Sequence, residues 1–293
     1  MANILGLGLS TIKGSTVDQP YATRFASFNG SSSKALAAPG RLPLILAGSG
    51  TLGENITFSM WIKATWTIPA SPADAVVNNI PFFMLGSDTD VHEAFRMYYM
   101  IEDGSANNKN DVVMELRSST PSNSRQNEIM RLSATGGSPS NSTITGSSAA
   151  DHDKMWDSDN SAITTNNDGF VHIVCSRGTL DWKIFWNGIN CEVIDNDSGS
   201  LNTDVTEFDS FSIGYWEYAD AYGQLGVRDF AIYNSQLSGS DVTALYNGGV
   251  LADHRDLITP QPIVYYPFEE DGNDVIVSTG PHLTLTDVTF ENI

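Results

Sequence analysis

The sequence predicts an all-β protein, an antiparallel β-sandwich of jelly-roll type with one short helix in its C-terminal half. Three observations predict it. Many short segments alternate apolar and polar residues with period two and are rich in aromatic and β-branched residues. They are separated by clusters of Gly, Asn, Asp and Ser, the spacing expected of sandwiches and barrels. A single segment carries a convincing helix start and stop.

The strand segments, in chain order, are Thr23–Phe28, Ile56–Trp66, Pro81–Leu85, Ala94–Ile101, Asp111–Leu116, Phe208–Ile213, Val227–Tyr233, Ile263–Phe268 and Leu283–Phe290. Between them, residues 170–194 can be registered residue by residue. Asn187-Gly188 is a strong type I′ hairpin signal. It pairs Trp186 with Ile189 and Ile184 with Cys191. A turn at Thr179-Leu180 then pairs Arg177 with Trp182 and Cys175 with Ile184. Val171, Ile173, Cys175, Trp182, Ile184, Trp186, Ile189, Cys191 and Val193 fall on one face. His172, Ser176, Lys183, Asn190 and Glu192 fall on the other, with Val174 and Phe185 as apolar exceptions.

This register also decides the two cysteines. Cys175 and Cys191 flank Ile184, two strand spacings apart, or roughly 9–10 Å. A disulfide needs Cα atoms within about 7 Å. The sequence therefore predicts two free thiols, as suits synthesis in a reducing cytoplasm.

The helix begins at Ser238, with Asp241 three residues on as in a capping box. Val242, Leu245 and Tyr246 form its apolar stripe, and Asn247-Gly248-Gly249 ends it. Ser133–Asp168 differs from everything else: 25 of its 36 residues are Ser, Thr, Asn, Asp or Gly, which predicts a long surface excursion. The expected organisation is an N-terminal arm over 1–20, the sandwich over 21–255, and a C-terminal β segment over 256–293 packed on it. The last of these is too short for its own core.

The charge narrows the function. Fifteen Lys and Arg against thirty-five Asp and Glu give −20, the wrong sign for a nucleic-acid backbone. No apolar run approaches the ~20 residues of a membrane span, so membrane insertion is not expected. The first fifteen residues lack a basic n-region and a small-residue cleavage site, so no secretory signal is predicted. The arm itself, MANILGLGLSTIKGSTV, carries Ile4, Leu5, Leu7, Leu9 and Ile12. Gly6 and Gly8 disfavour a helix, and an apolar arm in water needs cover. Either the arm packs back on its own sandwich as an edge strand, or Ile4, Leu5, Leu7 and Leu9 are candidate assembly contacts between subunits.

Several motifs, in order, resemble the laminin-G-like, concanavalin A-like jelly-roll family. They are Phe25-Ala-Ser-Phe28-Asn29-Gly30-Ser31; Ile56-Thr-Phe-Ser-Met-Trp61-Ile62-Lys63; Phe170-Val-His172-Ile-Val, where the family typically has Trp at Phe170; and Lys183-Ile-Phe-Trp-Asn187-Gly188. Then come Phe211-Ser-Ile-Gly214, Gly226-Val-Arg-Asp229-Phe-Ala-Ile-Tyr233-Asn-Ser-Gln-Leu237-Ser238, and Leu245-Tyr246-Asn247-Gly248. The resemblance spans about Phe25 to Gly249. It implies the fold; each motif is also what packing requires. The family includes glycan binders, adhesion modules, enzymes and virion proteins, so the site must decide.

Glycosidases of this architecture carry an E-x-D-x-x-E strand, which places two carboxylates across the glycosidic bond. Here the nearest runs are Glu192-Val-Ile-Asp195-Asn-Asp197 and Glu269-Glu270-Asp271, whose spacing sends acids to opposite faces. No G-x-S-x-G, P-loop or H-E-x-x-H is present. The five histidines are scattered and read as surface or structural. A non-enzyme is expected.

Two kinds of ligand remain. From Ile184 to Val227 there are eight acids and no Lys or Arg. Asp195, Asp197 and Asp204 are candidate ligands for calcium, a cation that needs oxygen-rich loops. The other reading is a solvated acidic loop. Asp151, Asp153, Asp157 and Asp159 form a second such group. For a glycan, Tyr215-Trp216-Glu217-Tyr218-Ala219-Asp220-Ala221-Tyr222-Gly223 places loop aromatics beside an acid. Trp216, Tyr218, Asp220 and Tyr222 are the candidate ligand residues, with at least one of the aromatics free to lid the core instead. Tyr98 and Tyr99 straddle a strand, so one faces outward, while Trp66 and Trp156 read as plugs.

The C-terminal run Ile263-Val-Tyr-Tyr-Pro267-Phe268, Asp271-Gly272 and His282-Leu283-Thr284-Leu285-Thr286 resembles segments that accompany such jelly rolls in phage proteins. The resemblance implies a non-enzymatic structural or adhesion protein of a tailed-phage virion: a capsid decoration, fibre or tail-adhesin subunit. Such a protein is made in the host cytoplasm and exposed outside cells. Its partners would be other virion proteins, copies of itself and a host-surface glycan. A bacterial carbohydrate-binding module is the alternative, and a glycoside hydrolase the least favoured.

Overall fold

The structure is a computed structural model that describes residues 24–37, 55–66, 79–86, 94–100, 111–119, 125–132, 165–178, 182–191, 194–195, 210–217, 220–272 and 282–293. The N-terminal arm, most of Ser133–Asp168, Tyr218, Asp197 and Asp204 lie outside them.

The chain is an antiparallel β-sandwich. Its strands are β1 (Arg24–Asn29), β2 (Lys34–Ala37), β3 (Ile56–Ala64), β4 (Asn79–Gly86), β5 (Ala94–Met100), β6 (Asp111–Ser119), β7 (Arg125–Leu132), β8 (Val171–Arg177), β9 (Trp182–Trp186), β10 (Ile189–Cys191), β11 (Ile194–Asp195), β12 (Ser210–Ile213), β13 (Tyr215–Trp216), β14 (Ala221–Tyr222), β15 (Gln224–Tyr233), β16 (Val264–Tyr266), β17 (Leu283–Thr286) and β18 (Thr289–Asn292). One sheet runs β10-β9-β8-β3-β15-β1-β18, with β16 on β15. The other runs β11-β7-β6-β5-β4-β12-β2-β17. The C-terminal segment thus supplies a strand to an edge of each sheet.

The hairpin register is as the sequence predicts. Trp186 pairs with Ile189, Ile184 with both Cys191 and Cys175, and Arg177 with Trp182. Ile189 sits opposite Trp186 as expected but, on the edge strand β10, is 41% exposed. Val174 and Phe185 are not errors of alternation. Both faces of β8 are buried, because a second layer packs outside this sheet.

That layer is helix α1 (Gly239–Tyr246) and a short second helix, α2 (His254–Leu257), which corrects the expectation of one helix. α1 has the predicted capping box, with Ser238 and Asp241 reciprocally bonded, and ends at Asn247 in the left-handed region. Val242 and Leu245 pack on Val174, Phe185, Ala231, Tyr233 and Tyr265. α2 escaped the sequence reading because four residues carry no helical period; the Asp253 carboxylate caps it.

Between the sheets lies an aromatic core. Phe58 meets Phe83 at 4.6 Å, and Phe230 meets Phe83 and Phe211, each at 5.4 Å. Trp66 is buried there beside Tyr99. Strand β15 carries a bulge: Arg228 faces Trp61 but Ala231 faces Ser59. The extra residue falls where Asp229 has φ 51°. Neighbouring strand residues normally diverge. The bulge lets Arg228 and Asp229 meet, Nε to Oδ2, at 2.9 Å, both fully buried.

Candidate glycan site at the β13–β14 hairpin

The aromatic loop folds into a small hairpin on the outer face of the β2-containing sheet. Tyr215 pairs with Tyr222 and Trp216 with Ala221. Its base is fixed by backbone bonds: Gly214 N–H to Phe82 O at 3.0 Å, Gly223 N–H to Gly214 O at 2.7 Å, and Gly30 N–H to Gly223 O at 3.1 Å. Gly214 is required here. Its φ is 70°, and a Cβ would lie 2.4 Å from the Phe28 ring. The tip turns through Asp220 N–H to Glu217 O at 3.3 Å, with Asp220 at φ 48°. Asp tolerates that conformation better than most residues.

The hairpin has a floor and a rim. Trp216 belongs to the floor and is only 5% exposed. Its ring meets Tyr98 edge-on at 4.9 Å, and the Arg96 guanidinium sits 4.9 Å from it. Met84 and Ala221 complete this cluster. Register explains the gathering, since Ser212, Met84, Arg96 and Glu115 occupy successive strands in line. Tyr98 is thus the outward tyrosine and Tyr99 the core one.

At the rim, one carboxylate oxygen collects two phenols. Tyr215 and Tyr222 both donate to Asp220 Oδ1, at 3.0 and 2.9 Å. Their rings lie 4.7 Å apart, and the Lys34 ammonium covers the Tyr215 ring at 4.6 Å. Burial, then the Asp220 bond, pushes the Tyr215 phenol up; for Tyr222 the Asp220 bond is the chief cause. Both phenols therefore stay neutral donors. Asp220 is exposed and Tyr222 half-buried.

Of the four predicted ligand residues, the structure thus joins Asp220 and Tyr222 at the rim and places Trp216 beneath them. Tyr218 lies outside the described residues. Sequence reading missed Tyr215, Lys34 and Arg96. Tyr215 stood in the aromatic run, but nothing local signalled that its hydroxyl would turn to Asp220. Among the calcium candidates, Asp195 lies in β11 with Met130 as register partner, and Asp197 and Asp204 lie outside the described residues. Among the described residues no group of three or more His, Cys, Asp or Glu could hold a metal ion. Glu269, from the second acid run, lies 3.5 Å from the buried Arg228.

No family model matches the sequence, and no curated protein matches it. Among solved structures, the chain is similar to a heptameric SAP-like pentraxin from Limulus polyphemus (TM-score 0.45, 12% identity, covering 92% of this chain and 95% of that one). It is also similar to the CBM40 of a Ruminococcus gnavus IT-sialidase bound to α2,3 sialyllactose (0.42, 13%, 76% and 97%). A third is domain 4 of AbnA, a GH43 arabinanase from Geobacillus stearothermophilus, in complex with arabinotriose (0.39, 16%, 76% and 76%). Likenesses of this size say nothing of ligand, activity or assembly. The antiparallel sandwich itself stands on the strand pairing above.

Proposed function

We propose that the chain is a non-enzymatic recognition module that binds a glycan at the rim of the β13–β14 hairpin. The observation that carries this reading is the Tyr215–Asp220–Tyr222 arrangement. Two phenols spend their protons on one oxygen of Asp220, which fixes the carboxylate and leaves it acceptor capacity for sugar hydroxyls. The half-buried Tyr222 ring beside it offers an apolar face for the C–H side of a sugar ring. The floor of Trp216, Tyr98 and Arg96 holds the hairpin rigid, so little ordering accompanies binding. An exposed carboxylate on a chain of charge −20 selects uncharged sugars over acidic ones.

The proposed setting is a phage virion, the chain being a decoration, fibre or adhesin subunit alongside copies of itself or other virion proteins. The support is the resemblance of residues 263–286 to segments of phage jelly rolls. The register that separates Cys175 from Cys191 suits synthesis in a reducing cytoplasm.

Binding of immobilised neutral and sialylated oligosaccharides tests the site. Neutral ligands should bind, and Asp220→Ala and Tyr222→Ala should each weaken binding at least tenfold, about 1.4 kcal/mol. Retained affinity in both variants would refute the site, and turnover of any ligand would refute a non-enzymatic role.

A further inference from the structure

We propose that α2, packed on Tyr265 of β16, forms an acid-opened latch over the outer face of the β3-containing sheet, released by protonation of the paired buried histidines His172 and His254. Both side chains are wholly buried. His172 projects from β8 and lies against the Trp61 ring at 4.8 Å and the Tyr246 ring at 6.3 Å; its Nε2 meets the Ser59 hydroxyl at 2.9 Å. His254 opens α2. It stacks on Tyr265 of β16 at 5.3 Å, and its Nδ1 is 3.5 Å from the Tyr233 hydroxyl. The two imidazoles meet edge to face at 6.0 Å. His172 Nδ1 and His254 Nε2 have no hydrogen-bond partner among the described residues.

The surrounding charges decide which element gives way. The histidine facing His172 is His254, and burial followed by that neighbour holds His172 well below its ordinary value of 6.5. His254 is also lowered, first by burial. Asp229 of β15 and Asp253 before α2 oppose that lowering, while Arg228 adds to it. Asp229 is engaged with Arg228 and with the Tyr265 hydroxyl at 2.6 Å, and Asp253 is bonded to Arg255. Glu269 pairs with Arg228 at 3.5 Å. The Asp229 and Asp253 carboxylates are both already bonded elsewhere, so they offset only part of the burial cost, and a proton on either imidazole is fully solvated only if α2 moves into water. β3 and β8 are central strands of the sheet, whereas α2 is a four-residue helix outside it.

The sign follows from the lowered values. Well above pH 6.5 both imidazoles are neutral whether the latch is closed or open, and closure is unopposed. Below it the open form takes up protons that the closed form refuses, so closure weakens as pH falls. At pH 5 a newly exposed imidazole favours the open form by at most roughly 30-fold.

Hydrogen exchange of the whole chain at pH 7 and pH 5, corrected for intrinsic rates, tests this. Amides of residues 254–257 should exchange at least tenfold faster at pH 5 while those of β3 and β8 keep their protection. His254→Phe, which keeps a ring on Tyr265 but cannot protonate, should reduce that acceleration. Equal protection at the two pH values, an equal rise throughout the sheet, or unreduced acceleration in a folded His254→Phe protein would overturn the proposal. Imidazole NMR resonances of the unsubstituted protein give an independent reading. They should begin to titrate only where α2 loses protection; titration with α2 still protected would also overturn it.

Discussion

Trp216→Ala separates the floor of the hairpin from its rim. Sequence alone makes Trp216 an attractive sugar platform; the structure makes it a packed side chain, 5% exposed. Truncating a buried Trp costs about 3–5 kcal/mol in a core. The Tyr98 edge contact contributes about 0.5–1.5 kcal/mol of its own, and the Arg96 cation–π contact about 0.5–2 kcal/mol. These overlap and are not summed. The hairpin lies outside the main core, where neighbours relax more readily, which favours the lower end: about 3 kcal/mol. For a chain of this size that lowers Tm by about 5 °C. Urea unfolding followed by circular dichroism measures it, with the m-value as a check that the denatured state is unchanged. Tyr222→Ala, at the rim, should cost less than about 1 kcal/mol. A Trp216→Ala loss below 1 kcal/mol, or a larger loss in Tyr222→Ala, would refute the division into floor and rim.

Two further outcomes follow from the same geometry, and a third from the apolar sequence of the N-terminal arm. Gly214→Ala places a Cβ against Phe28 at a left-handed position and should cost about 2–4 kcal/mol, read by the same unfolding experiment; a neutral result would show that the hairpin base is not held as described. Thiol counting in denaturant without reductant should find two reactive groups, since Cys175 and Cys191 flank Ile184, and finding none would contradict the register. Deleting residues 2–15 should leave a folded chain that fails to assemble, as judged by light scattering; unchanged assembly, or an unfolded product, would count against the arm as a contact.

Much of this architecture was legible where local chemistry dictates geometry. Asn187-Gly188 set the hairpin register, and Ser238 with Asp241 set the start of α1. Less was legible where short or polar segments borrow their structure from neighbours. Lys34–Ala37 is too short to show a period, and Arg125–Leu132 is too polar, yet both are strands because an adjacent strand supplies the ladder. The site divides the same way. The run from Tyr215 to Tyr222 announced a contact surface, but the burial of Trp216 depends on Arg96 and Tyr98, which β5 brings beneath it from far earlier in the chain. Nor does alternation foresee the Arg228–Asp229 contact, because the bulge in β15 breaks the period that would have separated them.

The most direct test of the central claim is a backbone-amide NMR titration of the intact chain with neutral oligosaccharides. The account predicts saturable shifts at Lys34 and across residues 215–223, strongest near Asp220 and Tyr222. The central strands β3 and β8 should not respond. Shifts that centre elsewhere, or none at millimolar sugar, would contradict it.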